Sequence, residues 1–316
     1  MHCPAKINLS LHILGKRPDG FSDLDSVVAL LNWHDDLVIS LRTEVESPFE
    51  KDVHFTSNDK TLEALGEDNL VLRGIRAVQQ YVRQYHHKLV TFPPVDVYLE
   101  KCLPYQAGLG SASSNAAAAI RLYHGLLCRY FPTLTPLSSK ELLALGASIG
   151  SDVPLFLREK SLMQVKGRGE ILVPIDGKAK TFEGVEALVL KSKPIAISTK
   201  DAYAWVHEEN AYSTPDGAFL DALQKGVPLK ELKHYMHNDF EDIVFGKYPA
   251  LLALKKRLLA AGAFHAMLCG SGSAVIGFFE CGKIPGPLEQ QDLASSLDVK
   301  IWQTRFFVIS LQNVTI

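Results

Sequence analysis

Hydrophobic and polar positions alternate near the start of the chain, and this alternation predicts a β-strand over residues 5–14. Ile7, Leu9 and Leu11 recur at every second position, so they share one face of an extended segment. The run KRPDG at residues 16–20 ends the strand, because proline, aspartate and glycine together favour a turn. Further strands are predicted over residues 37–41, 95–103, 186–190, 265–269, 274–280 and 299–308.

Apolar residues at intervals of three and four predict helices. Asn69 can cap a helix that carries Leu72, Ile75 and Val78 on one face. Ser138 and Glu141 have the spacing of a capping box, which predicts a helix over residues 138–148 that stops at Gly150. Other helices are predicted to begin near Asn115 and to span residues 200–207, 249–261 and 288–297.

The order of these elements indicates an α+β fold with two domains. Helices and strands mix without regular βαβ alternation, which disfavours a doubly wound parallel sheet. A length of 316 residues is enough for two domains or one large one. We place the boundary between residues 150 and 186, which gives an N-terminal domain over 1–170 and a C-terminal domain over 171–316.

Composition narrows the class of protein. Hydrophobic residues make up 47% and charged residues 22%, which is typical of a soluble globular enzyme. A net charge of -2 argues against a dedicated nucleic-acid binder. The five cysteines form no C-x-x-C pair, which indicates reduced thiols. No secretory signal and no apolar run of about 18 residues occurs, so we expect a soluble cytoplasmic protein without a membrane partner.

A loop of small residues is the strongest candidate for chemistry. The segment from Gly108 to Ser114 (GLGSASS) lets the backbone approach a ligand closely and leads into a helix whose first N–H groups are unpaired. Both features favour a phosphate site, to which the Ser113 and Ser114 hydroxyls could add ligands for phosphate or a metal. The loop is neither a P-loop nor a dinucleotide fingerprint. The alternative is a tight turn that allows close helix packing.

Three further groups are candidates. Lys6 and Asn8 share one face of the first predicted strand and can hold a hydroxyl and a phosphate, or they simply face solvent. Asp152 precedes an apolar run, so we expect it to be partly buried with Lys6 as a possible partner, or else to cap a turn. The GSGS run at residues 270–273 joins two predicted strands and is either a site loop or a hairpin turn.

The order of these motifs resembles the GHMP kinase superfamily. Its three motifs correspond to PAKINLSL at 4–11, GLGSASSNAA at 108–117 and CGSGSAV at 269–275. Within the superfamily, five further segments resemble the branch that phosphorylates a cytidyl substrate in the non-mevalonate route to isoprenoids. These are KRPDGF at 16–21, IGSDVPLFL at 149–157, KGRGE at 166–170, ISTKDAY at 197–203 and NDFE at 238–241.

The resemblance implies both a fold and an activity. The N-terminal domain would be similar to domain 2 of ribosomal protein S5 and would carry most of the ATP site, and the C-terminal domain would be ferredoxin-like. The implied reaction transfers the γ-phosphoryl group of ATP to the 2-hydroxyl of a small cytidyl substrate, with Mg²⁺. Nucleic acid would not be a partner, and the protein would be a monomer or a homodimer.

The resemblance also assigns residues to roles. Lys6 and Asp152 take the places of the catalytic pair. The ATP-phosphate loop corresponds to Pro104, Gly108, Leu109, Gly110, Ser111, Ala112, Ser113 and Ser114. The substrate-binding positions correspond to Asn8, Phe21, Ser22, Tyr203, Gly270, Ser271 and Gly272, among which Phe21 and Tyr203 would sandwich the cytosine ring. The metal ligands are not assigned.

The chain departs from the family pattern in three places. Gly110-Ser111-Ala112 stands where three glycines are usual, and Gln106 replaces another glycine. Phe21-Ser22 stands where a Tyr-His pair is expected, and that histidine recognises cytosine in the family. We therefore expect base recognition to depend on stacking and on backbone groups near Ser22.

Two alternatives stay open at this point. Another small-molecule kinase of the superfamily, such as a mevalonate-type or homoserine kinase, would share the three main motifs but not KRPDGF. A non-catalytic nucleotide-binding relative would need neither Lys6 nor Asp152.

Overall fold

The computed structural model of the chain describes residues 1–42, 52–85, 91–158, 160–176, 179–295 and 298–306. The strands are β1 His2–Lys16, β2 Ser22–Leu41, β3 Val53–Ser57, β4 Val95–Glu100, β5 Leu162–Gly167, β6 Ile171–Pro174, β7 Val185–Ser192, β8 His237–Asn238, β9 His265–Leu268, β10 Ala274–Glu280 and β11 Val299–Arg305. The helices are α1 Lys60–Ala64, α2 Leu70–Tyr85, α3 Ser111–Tyr130, α4 Ser139–Ile149, α5 Val153–Leu157, α6 Thr199–Glu209, α7 Ala218–Lys225, α8 Glu241–Lys247, α9 Pro249–Ala260 and α10 Pro287–Ser295.

The larger of the two sheets is mixed. Its seven strands follow the order β3-β4-β2-β1-β8, with β5 paired to β2 and β6 paired to β5. β8 runs parallel to β1, with Ser10 opposite His237, and β3 runs parallel to β4. The β2–β4, β2–β5 and β5–β6 pairs are antiparallel.

The smaller sheet has four antiparallel strands in the order β11-β7-β10-β9. Counted along the chain, the sheet therefore reads fourth, first, third, second, which is the ferredoxin-like order. The predicted α+β class and the ferredoxin-like sheet are both confirmed.

The described residues form two compact units. The first takes its residues from Met1–Pro4, His34–Leu103 and Gly110–Glu159, and the second from Ala5–Trp33, Pro104–Leu109 and Lys160–Ile316. Each unit draws on separate stretches of sequence, and the domain boundary after residue 170 stays a prediction.

Each unit has its own apolar core. In the first unit, the alanine-rich face of α3 packs against α2, and a Cβ added to Gly74 would lie 3.0 Å from the Ala116 carbonyl oxygen. The absence of a side chain at Gly74 therefore allows the two helices to approach closely. In the second unit, helices α8 and α9 pack on the small sheet through buried residues such as Val244, Leu254 and Val275.

The predicted elements agree with the structure best where a local signal is strong. The capping box of α4 forms as predicted from Ser138 and Glu141. Helix α3 begins at Ser111 rather than near Asn115, because Gly110 adopts the left-handed conformation that starts the helix. The ends of the predicted helix at residues 288–297 and of the predicted strand at residues 299–308 lie outside the described residues.

Strand β2 is much longer than predicted. It covers 20 residues, of which only 37–41 were expected to be a strand. A continuous run of its residues is buried on both faces, from Ser26 to Leu31, so the sequence there shows no alternation. Among the described residues, no helix is long and apolar enough to cross a bilayer.

Candidate functional site

The first strand places Lys6 and Asn8 on one face, as predicted. Lys6 Nζ donates a hydrogen bond to Asn8 Oδ1 at 2.7 Å, and both side chains are buried. Asn8 Nδ2 in turn donates to Ser26 Oγ at 2.8 Å, and Ser26 Oγ donates to the Ser10 carbonyl oxygen at 2.6 Å. The alternative of a solvated strand face is therefore wrong, and β1 carries a buried, hydrogen-bonded polar row.

Two glycine-rich segments of the second unit meet this row. A Cβ added to Gly108 would lie 1.7 Å from the Cys269 carbonyl oxygen, and the φ of Gly108 is +76°. A Cβ added to Gly270 would lie 3.4 Å from Lys6 Nζ and 3.5 Å from Asn8 Oδ1. The Lys6 N–H group also donates to the Leu109 carbonyl oxygen at 2.9 Å. Three motifs that are far apart in sequence therefore converge within this unit.

The loop that contains Gly270, Ser271 and Gly272 is held from two sides. Asn238 Nδ2 donates to the Gly270 carbonyl oxygen at 2.8 Å and to the Leu268 carbonyl oxygen at 3.0 Å. Ser271 Oγ lies 3.1 Å from Thr199 Oγ1. Asn238 belongs to the NDFE motif, to which sequence reasoning had given no role, and its contacts show that it positions the loop.

In the first unit, helix α3, which follows the predicted phosphate loop, begins beside a buried ion pair. Lys101 Nζ lies 2.7 Å from Asp35 Oδ2, and the Asp35 side chain is 0% exposed. Asp35 also accepts hydrogen bonds from the Leu103 N–H group, the Asn115 amide and Ser111 Oγ, at 2.7, 3.1 and 3.0 Å. Burial lowers the pKa of Lys101 from its usual value.

This network changes the expectation for Ser111. Its hydroxyl donates to Asp35 and accepts from Lys101 Nζ at 2.5 Å. The Ser111 side chain therefore fixes the start of α3 to the buried ion pair. Sequence reasoning missed Asp35 and Lys101. The signal that could have revealed them is a pair of charged residues, one on each of two apolar stretches, with Lys101 shortly before the small-residue loop; both lie just beyond the same end of the β2–β4 pairing.

Ser114 differs from Ser111. It is 1% exposed, and its Oγ has no hydrogen-bond partner among the described residues. A buried polar atom without a partner is unfavourable unless a ligand satisfies it. Its oxygen suits a phosphate group or a hard cation such as Mg²⁺, both of which bind oxygen and hydroxyl groups. The described part of the site therefore fits a magnesium–phosphate ligand at the start of α3.

Asp152 lies at the start of α5, in the first unit. Its side chain is partly buried, as expected, but it does not cap the helix. Helix α4 packs tightly before it, since a Cβ added to Gly146 would lie 2.6 Å from Leu157 Cδ1. The alternative in which Asp152 caps a turn stays a prediction. Lys6 belongs to the second unit, and the pairing of Lys6 with Asp152 stays a prediction.

The RPDG turn presents an exposed aromatic ring. The Gly20 N–H group donates to the Arg17 carbonyl oxygen at 3.0 Å, which closes the turn, and the Phe21 N–H group donates to Asp19 Oδ1 at 3.2 Å. Phe21 is 49% exposed, and the Arg168 guanidinium lies 4.5 Å from its ring centroid. One face of this ring therefore carries a cation, supplied by the KGRGE motif.

Helix α6 brings a second aromatic ring to the same part of the second unit. Tyr203 lies edge-on to Phe240, with the ring centroids 4.9 Å apart. One turn later, His207 Nε2 lies 3.0 Å from Ser22 Oγ. The structure thus brings the segment of Phe21 and Ser22 next to the helix of Tyr203, as the predicted base site requires. Sequence reasoning missed His207, whose spacing of four from Tyr203 was the available signal.

Comparisons with known proteins agree with this geometry. Family models of the GHMP kinases N terminal domain and the GHMP kinases C terminal match residues 69–160 and 219–294. A 4-diphosphocytidyl-2-C-methyl-D-erythritol kinase of Bacteroides fragilis is 32% identical over 277 residues, which cover 87% of this chain and 90% of that protein. The protein of the same name from Salinibacter ruber is 35% identical over 281 residues, which cover 88% of each chain.

Solved structures show the same relationship. The crystal structure of a 4-(cytidine 5'-diphospho)-2C-methyl-D-erythritol kinase has a TM-score of 0.69 and 26% identity, and the match covers 98% of this chain and 99% of that one. The mevalonate kinase of Methanococcus jannaschii has a TM-score of 0.66 at 15% identity, with 98% of each chain covered. At that identity, the second likeness supports the fold alone.

Replacing Gly108 by alanine should destabilise the protein by about 2–4 kcal/mol, because the new Cβ would overlap the Cys269 carbonyl group and the φ angle is unfavourable for alanine. Urea unfolding measures the change. Gly125→Ala is the matched control: a Cβ there meets nothing within 4 Å, and alanine favours a helix, so this variant should gain about 0.5–1 kcal/mol. Equal stability of the two variants would contradict the close contact.

Replacing Lys101 by methionine should destabilise the protein by about 3–5 kcal/mol, since Asp35 would be left as an uncompensated buried charge. Lys60→Met is the control, because Lys60 forms an exposed ion pair with Glu63 that contributes less than about 1 kcal/mol. Thermal and urea unfolding of both variants provide the comparison. If Lys101→Met were no worse than Lys60→Met, the network would not support the loop.

Proposed function

The chain belongs to the family of 4-diphosphocytidyl-2-C-methyl-D-erythritol kinases, and we propose that it transfers the γ-phosphoryl group of ATP to the 2-hydroxyl of 4-diphosphocytidyl-2-C-methyl-D-erythritol. The observation that supports this most directly is the convergence of Lys6 and Asn8 with the glycines at positions 108 and 270. The glycines at these positions let backbone segments approach each other closely beside a cation and an amide, the two groups that would contact a phosphorylated ligand.

The phosphate groups are assigned to the loop and to the start of α3. The first N–H groups of an α-helix have no intrahelical acceptor and favour negative charge. The amides that follow Gly110 would donate to phosphate oxygens, and Ser114 Oγ would bind a phosphate oxygen or Mg²⁺. When bound, magnesium neutralises charge on the phosphate oxygens.

We infer that Asp152 and Lys6 carry the proton transfer and the charge stabilisation. Phosphoryl transfer depends on positioning and electrostatics more than on covalent chemistry. Asp152 would accept the proton of the attacking hydroxyl group, which typically contributes about 10²–10⁴-fold in rate. Lys6 would favour the ionised form of Asp152 and stabilise charge on the transferred group. Asn8, which accepts a hydrogen bond from Lys6, would orient the lysine and contact the substrate.

The cytidyl end of the substrate is assigned to Phe21, Ser22 and Tyr203. Two aromatic rings can hold a planar base by stacking, and each stacked base contributes about 1–3 kcal/mol. The contact between Ser22 and His207 supports this assignment, because it joins the two segments that carry the rings. Gly270, Ser271 and Gly272 would approach the substrate through the backbone beside Lys6.

Other parts of the proposal concern the cellular compartment, the oligomeric state and the partners of the enzyme. A reducing, cytoplasmic compartment is supported by the five cysteines, all of which are free thiols. A monomer or a homodimer, and the absence of a nucleic-acid partner, stay predictions. The mevalonate kinase of Methanococcus jannaschii and the homoserine kinase of Cytophaga hutchinsonii match at 15% and 17% identity, and these likenesses support the shared fold alone.

Asp152→Asn should lower kcat by at least about 100-fold, because an amide cannot accept the hydroxyl proton. Its affinity for an ATP analogue should stay within about twofold, since the phosphate loop is unchanged. A coupled ADP-release assay with the cytidyl substrate and calorimetry with the analogue measure the two quantities. Asp221→Asn, the same change at an exposed position on α7, is the control and should leave both unchanged. Near-normal kcat in Asp152→Asn would rule out the assigned role.

A further inference from the structure

His207 lies between two hydroxyl groups. Its Nε2 is 3.0 Å from Ser22 Oγ, and its Nδ1 is 3.1 Å from the Tyr212 hydroxyl oxygen. Asn210 ends α6 in the left-handed conformation, and the Tyr212 N–H group then donates to the Asn210 carbonyl oxygen at 2.9 Å. This turn brings the chain back along the helix, so that the phenol reaches the imidazole ring. The three side chains form a row, Tyr212–His207–Ser22.

The surroundings favour a neutral imidazole. Burial, together with the positive charge of Lys16, holds the pKa of His207 below its usual value. A neutral imidazole has one N–H donor and one acceptor nitrogen, and its partners decide which is which. A phenol is a stronger hydrogen-bond donor than an aliphatic alcohol, so Tyr212 is expected to donate to Nδ1. The proton then lies on Nε2 and is donated to Ser22 Oγ.

The direction of these bonds determines what Ser22 can offer to a ligand. When Ser22 Oγ accepts from Nε2, its own proton is left to donate elsewhere. Ser22 is only 8% exposed, so a hydroxyl proton that finds no acceptor there is unfavourable. Phe21 precedes it, and the Tyr203 and His207 rings are inclined by 27°, with centroids 6.5 Å apart. The donor therefore belongs to the residue next to Phe21 and contacts the helix that carries Tyr203.

We propose that the row Tyr212–His207–Ser22 determines base specificity by presenting the Ser22 hydroxyl as a hydrogen-bond donor to the base. The proposal rests on the proposed function. The ring nitrogen N3 of cytosine is an unprotonated acceptor, whereas N3 of uracil carries a proton. With cytosine, Ser22 keeps the bond from His207 and donates its proton to N3. With uracil, the hydroxyl proton must turn away from the N3–H group and loses its acceptor, which disfavours uracil. Ser22 is the contacting residue, and His207 and Tyr212 position it.

The test compares kcat/KM for the cytidyl substrate and its uridyl analogue. Ser22→Ala and His207→Phe should each lower the cytidyl-to-uridyl ratio by about tenfold, and Tyr212→Phe should lower it by less. The change should lie in KM for the cytidyl substrate, with kcat and KM for ATP within about twofold. Combining Ser22→Ala with His207→Phe should cause little further loss, because both changes act through one hydroxyl.

His234→Phe makes the same substitution at an exposed histidine and should leave the ratio unchanged. Thermal unfolding confirms that each variant is folded. An unchanged ratio in folded Ser22→Ala and His207→Phe enzymes would overturn the proposal. So would a change in kcat or in KM for ATP as large as the change in KM for the cytidyl substrate. A wild-type enzyme that phosphorylates neither nucleotide substrate would instead contradict the proposed function itself.

Discussion

The described site depends on one close backbone contact, in which Gly108 lies against the Cys269 carbonyl group. No side chain fits at position 108, since even a Cβ would lie 1.7 Å from that oxygen. The contact brings the predicted phosphate-loop segment next to the GSGS loop, and Gly270 then lies beside the buried Lys6–Asn8 pair. The backbone N–H group of Lys6 also donates to the Leu109 carbonyl oxygen, and this bond joins the first strand to the segment that contains Gly108. The proposed phosphate chemistry requires all three segments.

Much of the fold and part of the site could be predicted from local signals. Alternation identified β1, and the Ser138–Glu141 spacing identified α4 with its capping box. Most of strand β2 was not predicted, because burial on both faces removes the alternation of hydrophobic and polar residues that identifies a strand. The Asp35–Lys101 pair escaped for a different reason: the two charges are 66 residues apart in sequence, and only the pairing of β2 with β4 brings their segments together.

The proposed base site shows how a tertiary contact changes the interpretation of a substitution. From sequence, Ser22 marks the loss of an imidazole that recognises cytosine in the family, which leaves stacking and backbone groups. In the structure, an imidazole reaches the same residue from α6, through His207. A pattern along one strand cannot reveal a partner that is 185 residues away. The side chains available at the proposed base site therefore depend on tertiary contacts as well as on the residue at position 22.

The measurement that most directly tests the proposed function is the rate of ADP release with three acceptors offered separately to the purified enzyme. The acceptors are 4-diphosphocytidyl-2-C-methyl-D-erythritol, mevalonate and homoserine, each with ATP and Mg²⁺. The proposed function predicts kcat/KM for the cytidyl acceptor at least about 10³-fold above that for the other two, since only this acceptor carries a base that the proposed aromatic site could bind. Comparable or higher turnover of mevalonate or homoserine would contradict it.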